Sequence, residues 1–459
     1  MFDLSINQIF KSDYKYKYGE INTPFFLIKE MLDLFPKKVF SDPNKKWLDP
    51  ACGCGYFMMV LYNYLFNGLQ NIIKDEKQRE KHIIEKMLFM CEINEKNIII
   101  LKERFGSKAN IFHIDFLSFQ YKNKFDFIIG NPPYNSNGIK KVPTNKVINK
   151  KLNDGKTIWI DFIKYSITLL KQKGYLNMII PSIWMKPDKA NMNEFITKYK
   201  IHYLKTFTNT ETNKIFKNQA QTPTCYFLLQ KSLNKDNLIN IYSDITNNYE
   251  RYIIKKNIIP LCGYSIIDKL FTYVEKYGNL NVLKTNMPSK HNIIYESLED
   301  ISLKETSLNF YKNIKTCTLK SNQPQLVINY SLQPCAYYGM QKVILAHKMY
   351  GFPYYDKEGV YGISNRDNYV LLGYNERENN IINDFFKTKL ALYLFETTKY
   401  RMKYLEKYVF KFIPNITKID NFPENINDNT MREFFHFNNE EYEKIMNSHK
   451  DYNFDFIKN

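Results

Sequence analysis

Lys45-Lys46-Trp47-Leu48-Asp49-Pro50-Ala51-Cys52-Gly53-Cys54-Gly55-Tyr56-Phe57 is the stretch that decides the fold. Lys46–Leu48 reads as a short buried strand. It runs directly into a glycine turn and then into residues 57–70, which are apolar with a helical period. A strand, a glycine turn and a helix in that order open a βαβ unit. Upstream, Pro-Phe-Phe-Leu-Ile-Lys-Glu-Met-Leu-Asp-Leu-Phe-Pro (24–36) reads as an amphipathic helix with Pro24 in its first turn and Thr23 as its cap. Downstream, strand-like 88–94, a helix through Arg104, strand-like 110–115 and strand-like 125–134 follow at βαβ spacing. This pattern predicts an α/β fold with a mainly parallel, doubly wound sheet. The helix 158–174 and the strand Tyr-Leu-Asn-Met-Ile-Ile-Pro-Ser-Ile-Trp continue the pattern to about residue 230. Beyond it, aromatic-rich short strands and late helices within 379–405 and 432–449 predict a mixed α+β domain. We place the boundary near 232–245, giving domains 1–235 and 240–459.

In a parallel sheet, ligands bind beyond the carboxyl ends of the strands. Asp49 to Gly55 follow the first strand, Glu92 ends the second, Asp115 the third and Asn131 the fourth. Asn131-Pro132-Pro133-Tyr134 is a stiff turn, because each proline restricts the residue before it and cannot continue a ladder. Such a turn projects the Asn131 amide and the Pro132 carbonyl in fixed directions. Two converging acceptors orient a planar NH2 group and turn its lone pair towards an electrophile. Tyr134 offers a flat face on which a flipped base can stack. The glycines allow close backbone approach, and amides at a helix start suit a carboxylate. Neither GxGxxG nor GxxxxGK[ST] is present, so dinucleotide and nucleotide-phosphate readings are weak. Glu92, 37 residues after Gly55, can accept from ribose hydroxyls, and Asp115 from an adenine amino group.

Asp-Pro-Ala-Cys-Gly-Cys-Gly-Tyr-Phe, Cys-Glu-Ile-Asn, His-Ile-Asp-Phe and Gly-Asn-Pro-Pro-Tyr together resemble the amino-methyltransferase family, and specifically its adenine-N6 DNA members. Gly-Glu-Ile-Asn-Thr-Pro (19–24) is similar to the family's cofactor-side segment and precedes the glycine motif, which is the gamma order. The resemblance is strong over roughly 18–230 and looser beyond, where 364–371 and 397–414 resemble recognition-domain endings. It implies a Rossmann-like class I methyltransferase fold and S-adenosylmethionine as cofactor. It further implies double-stranded DNA as substrate and residues 240–459 as a target recognition domain. Thr23, Asp49, Ala51 and Gly53 would lie near the methionine part of the cofactor. Glu92 would hold its ribose, Asp115 and Phe116 its adenine, and Asn131 would border it. Asn131, Pro132 and Tyr134 would hold the target, with Phe216 against the flipped base. Cys52 and Cys54 stand where many relatives carry small or polar residues; no thiol catalysis is expected. Pro334-Cys335 is the only dipeptide of the kind that cytosine-C5 methylation needs, and it lies outside the catalytic half. Methylation of RNA adenine or of a protein glutamine, and an inactive DNA-binding homologue, are the alternative readings.

The bulk composition agrees. Lys and Arg exceed Asp and Glu by 65 to 47, a formal net charge of +18, which favours a polyanionic partner through counterion release. The lysine-rich loop 139–156 is expected to contact phosphate. Seven scattered cysteines with no paired CxxC units suggest neither a zinc site nor a disulfide framework, so no metal is expected. The first twenty residues lack the apolar core of a signal peptide, and no run of about 18 apolar residues occurs, so a soluble intracellular protein is expected. Too few residues precede the cofactor segment for a fused nuclease, which leaves a separate cognate endonuclease as the expected partner.

Overall fold

The computed structural model describes residue 2 and residues 21–136, 157–220, 222–287, 292–302, 310–320, 323–347, 351–401 and 404–456. The lysine-rich loop 139–156 and the Gly19-Glu20 start of the cofactor-side segment therefore lie outside the described residues. The chain divides into two compact units. The first comprises Met1–Tyr242 and Tyr249–Ile259, and the second Ser243–Asn248 and Pro260–Asn459.

The first unit is built on one sheet. Helix α1 (Phe25–Asp33) precedes β1 (Trp47–Asp49), α2 (Tyr56–Gly68), β2 (Leu88–Glu92), α3 (Glu95–Phe105), β3 (Asn110–His113) and β4 (Phe125–Gly130). After residue 157 come α4 (Trp159–Leu169), β5 (Leu170–Pro181), β6 (Tyr199–Phe207), α5 (Asn209–Ile215), β7 (Thr224–Leu233), β8 (Leu238–Ser243) and β9 (Asn248–Ile253). The strand order is β3-β2-β1-β4-β5-β7-β6-β8-β9. β1 lies parallel between β2 and β4, with Trp47 opposite both Leu88 and Phe127. β7 runs antiparallel to β5 and β6, with Ile179 opposite Tyr226 and Leu204 opposite Phe227. The expected α/β architecture with a mainly parallel, doubly wound sheet is present. The order reverses between β1 and β4, the topological switch point where such sheets bind ligands.

Strands β1, β2 and β4 are buried at every position, as parallel strands covered on both faces must be. The core behind them is aromatic. Trp47, with no exposed surface, stacks on Phe127 at a 3.9 Å centroid separation and on Phe40 at 5.6 Å, while Phe35 meets it edge-on at 5.3 Å. Helix α1 buries Leu27, Ile28, Met31 and Leu32, the i, i+1, i+4, i+5 stripe of an amphipathic helix.

Three local expectations are corrected. Thr23 does not cap α1: Pro24 is the cap residue, with no side-chain bond, and its carbonyl accepts from Leu27 and Ile28. The helix expected over 158–174 ends at Leu169, and β5 begins at once with Leu170 opposite Phe125. Pairing then slips around Lys173, at φ 62°, before Tyr175 resumes opposite Phe127, so Lys-Gln-Lys-Gly is a strand irregularity and not a helix end. The first late helical run is two helices, Glu376–Phe385 and Lys389–Thr397, because the Thr388 side chain caps the second.

Among the described residues, the second unit holds two four-stranded sheets. One orders Val282–Lys284, Asn368–Leu371, Lys342–Ala346 and Pro353–Asp356; the other orders Ile294–Tyr295, Gln323–Ser331, Tyr311–Lys320 and Gly362–Ile363. Among the described residues, no helix is long and apolar enough to cross a membrane.

Trp47→Ala empties the centre of the aromatic stack. Large-to-small changes at such positions cost about 3–5 kcal/mol, so chemical denaturation should show a lower midpoint with an unchanged slope. A midpoint within error of the parent would disprove the central place given to this ring.

Candidate active site

The loops after β1, β2, β3 and β4 share the carboxyl edge of four adjacent strands. The turn after β1 is shaped by its glycines. Gly53 and Gly55 take φ of 53° and 87°, the left-handed region that glycine enters without penalty. A side chain on Gly55 would also meet Leu101 at 2.7 Å and Phe105 at 2.9 Å. The turn closes by Gly55 N–H donating to the Cys52 carbonyl at 2.8 Å, and Gly55 then caps α2.

Glu92 ties this turn to the next. Its carboxylate accepts from the N–H groups of Gly53 at 2.7 Å, Ile93 at 3.0 Å and Asn94 at 2.7 Å. The Cys52 N–H adds a main-chain bond to the Cys91 carbonyl at 3.1 Å. Asn94 in turn caps α3 by accepting from Lys96. Asp115 is exposed and caps the short helical turn Phe116–Ser118 by accepting from Leu117. Phe116 is buried against Phe162 and Tyr165, at centroid separations of 5.1 and 5.2 Å.

Asp49 is the most unusual group. Only 1% exposed, it accepts from the Ala51 N–H at 3.1 Å. Burial, opposed by that hydrogen bond and reinforced by the charge of Glu92, pushes its carboxyl up to about 8. Gly130 is held against it: a side chain there would lie 2.7 Å from Asp49 Oδ1 and 3.5 Å from Pro50. This close approach explains the glycine that precedes Asn131, and it brings the first and fourth strand ends together.

Asn131 Nδ2 donates to Thr23 Oγ1 at 3.2 Å, across 108 residues of sequence. Its Oδ1 is buried and has no hydrogen-bond partner among the described residues. Buried amide oxygens are normally satisfied, so this oxygen at a strand end keeps acceptor capacity that the described residues do not use. Pro132 is buried and Pro133 and Tyr134 half-buried; burial also raises the Tyr134 phenol well above its ordinary value. The Tyr134 carbonyl accepts from Ile158 N–H at 3.1 Å, fixing the far side of the turn.

The structure thus brings Thr23, Asp49, Ala51, Gly53, Glu92 and Asn131 together, with Asp115 on the neighbouring loop. Phe216 stands apart in character. It ends α5 and is only 1% exposed, packed in the main apolar core, so in this conformation its ring presents no open face. Sequence reading missed Asn97 and Arg104 of α3, which contact the glycine turn: the Cys54 thiol donates to Asn97 Oδ1 at 3.3 Å, and Arg104 Nη1 donates to the Cys54 carbonyl. Their shared helix face with Leu101 was visible in the spacing; what that face touches was not. All seven cysteines are free thiols, and among the described residues no group of His, Cys, Asp and Glu side chains is placed to hold a metal ion.

Folded Asp49 keeps its proton where an unfolded aspartate has lost it. Folding therefore takes up a proton between about pH 4 and pH 8, and this contribution to stability falls as pH rises through that window. Asp49→Asn should flatten the decline, measured as denaturation midpoints across the window in the protein free of ligand. Parallel curves for parent and variant would place the carboxyl's titration in the ordinary acidic range.

Residues 7–216 match the family model described as Eco57I restriction-modification methylase. An adenine-specific methylase of Mycoplasma pneumoniae is 26% identical, covering 52% of this chain and 78% of that protein. The type II methyltransferase M.BstVI of Geobacillus stearothermophilus is 25% identical, covering 50% of this chain and 45% of that protein, so the chain spans less than half of this second relative. The type IIL restriction-modification enzyme MmeI, solved with DNA, superposes at a TM-score of 0.47 with 13% identity, covering 88% of this chain and 69% of that one. Residues 7–216, somewhat less than half of the chain, carry the glycine turn, the acidic strand ends and the Asn-Pro-Pro-Tyr turn, and over this stretch the chain is similar to the Eco57I restriction-modification methylase family.

Proposed function

We propose that the chain is a site-specific DNA methyltransferase acting on the N6 amino group of a flipped-out adenine. The observation that carries this reading is the Asn131 amide: its nitrogen is tied to Thr23, and its buried oxygen is left without a partner at the switch point of the sheet. The tether fixes which way the acceptor points.

The residues around the glycine turn fit S-adenosylmethionine. Left-handed glycines let a ligand approach the main chain, and the start of α2 offers N–H groups to a carboxylate. Glu92 and Asp115 supply acceptors on the two neighbouring loops for ribose hydroxyls and an adenine amine. Asp49, Ala51, Gly53 and Thr23 border the amino-acid end, and Phe116 lies behind Asp115. The cofactor supplies a methyl group on a positively charged sulfur.

Asn131 Oδ1 and the Pro132 carbonyl accept the two hydrogens of the adenine amine, drawing density onto its nitrogen and aiming the lone pair. Tyr134 stacks on the base, and Phe216 becomes a second wall only if the α5 end rearranges. Positive charge develops on the amine during transfer, so both acceptors bind more strongly as reaction proceeds. No covalent protein intermediate is required. Holding two reactants in line can remove on the order of 7–11 kcal/mol of barrier, which makes positioning the main source of rate.

DNA is preferred to RNA or a protein glutamine as substrate because the relatives are adenine-specific methylases and type II methyltransferases. The net charge of +18 suits a duplex. We assign sequence readout to the second unit and propose the lysine-rich loop 139–156 as a phosphate contact. A separate restriction endonuclease is the expected companion.

Purified protein with methyl-labelled S-adenosylmethionine and mixed-sequence duplexes should yield labelled N6-methyladenine on nucleoside chromatography. Label confined to cytosine, or absent while the cofactor binds, would sink the reading. Asn131→Ala should lower turnover by on the order of a hundredfold while calorimetric cofactor affinity changes only a few-fold. Near-normal turnover in that variant would remove Asn131 from the chemistry.

A further inference from the structure

Helix α3 leans on the glycine turn along its length. Asn97, 1% exposed, accepts from the Cys54 thiol, while Leu101 and Phe105 close over Gly55. From the last turn of the helix Arg104 reaches back across 50 residues of sequence to the Cys54 carbonyl. Its guanidinium also lies over the Tyr56 ring, 5.3 Å from the centroid, and that ring meets Phe25 of α1 edge-on at 5.3 Å. Among the described residues no carboxylate lies within ion-pair distance of Arg104, so its charge-assisted hydrogen bond goes to this one main-chain oxygen.

The peptide joining Cys54 to Gly55 is held at both ends. Arg104 holds its carbonyl, and the Cys52 carbonyl accepts its N–H at 2.8 Å. Such a grip is needed there. Glycines on either side of Cys54, at φ 53° and 87°, take positive and negative φ with equal ease, so nothing intrinsic keeps the peptide plane from turning over. A reversed plane would break both bonds and set the Cys54 carbonyl against the Cys52 carbonyl, so the turn would open. A charged donor bonds a carbonyl more strongly than a neutral one, and Arg104 can give that bond without spending a carboxylate partner.

We propose that Arg104 is a positioning residue that locks the Cys54–Gly55 peptide in the orientation that receives the amino-acid end of the cofactor. The inference rests on the S-adenosylmethionine reading above but concerns a residue that reading does not use.

The test is calorimetric binding of S-adenosylhomocysteine to the full chain, alongside thermal unfolding and steady-state methylation. Arg104→Met keeps the apolar stem over Tyr56 and loses every donor. It should weaken binding by on the order of tenfold or more, as expected for loss of a hydrogen bond to a charged group. The same factor should appear in KM for the cofactor, with kcat at saturation within about twofold and an unfolding temperature near that of the parent. Arg104→Lys, which retains a charged donor, should recover part of the affinity. Unchanged affinity in R104M while the parent binds would overturn the proposal and leave the methyltransferase reading intact. If R104M and R104K lose thermal stability in step with affinity, Arg104 serves the fold alone, and the proposal is again overturned. No binding by the parent would overturn both the proposal and the reading on which it rests.

Discussion

Asp49 and Gly130 end two adjacent parallel strands so close together that no side chain fits between them: a β-carbon on Gly130 would sit 2.7 Å from the Asp49 carboxylate. This contact sets the spacing of the whole edge. It draws the glycine turn after β1 against the Asn-Pro-Pro-Tyr turn after β4 and leaves Asn131 beside the segment that precedes α1. Thr23 supplies the hydroxyl that accepts from its Nδ2. The aromatic stack of Trp47, Phe127, Phe40 and Phe35 stiffens the same two strands from behind.

The electrostatics of the edge follow from its geometry. Glu92 accepts three main-chain N–H groups, the pattern that stabilises a carboxylate where water is scarce. Asp49, deeper and with one N–H donor, is pushed the other way by burial and by Glu92 itself.

The second unit follows a different logic, in which one buried ion pair fixes a strand register. Lys342 and Asp356, 0% and 2% exposed at their side chains, sit opposite each other in a hairpin 2.6 Å apart. Asp356 also accepts from the N–H groups of Val360 and Tyr361, and Lys342 also donates to the Met340 carbonyl. Burial lowers the Lys342 amine, and Asp356 opposes that shift. The pair adds little net stability over apolar residues of the same volume, but a slip of one residue would bury both charges unpaired. That penalty selects one pairing of the hairpin.

The sequence by itself determined the strand-turn-helix alternation of the first half, because apolar runs such as Phe125–Ile129 and glycines at 53 and 55 have few other physical solutions. It also located Glu92, Asp115 and Asn131 at strand ends, since strand boundaries show where periodicity stops and prolines begin. It did not determine partners across long separations. Thr23 looked like a helix cap because local spacing is all a sequence displays; only the folded chain carries its hydroxyl to Asn131. The burial of Phe216 at 1% exposure was likewise invisible in its local spacing. Arg104 looked like one more charge on a helix, until the α3 face closed on the glycine turn. Spacing along a chain encodes which residues share an element, whereas hydrogen bonds between elements depend on how those elements pack, and packing is decided only when the whole core is assembled.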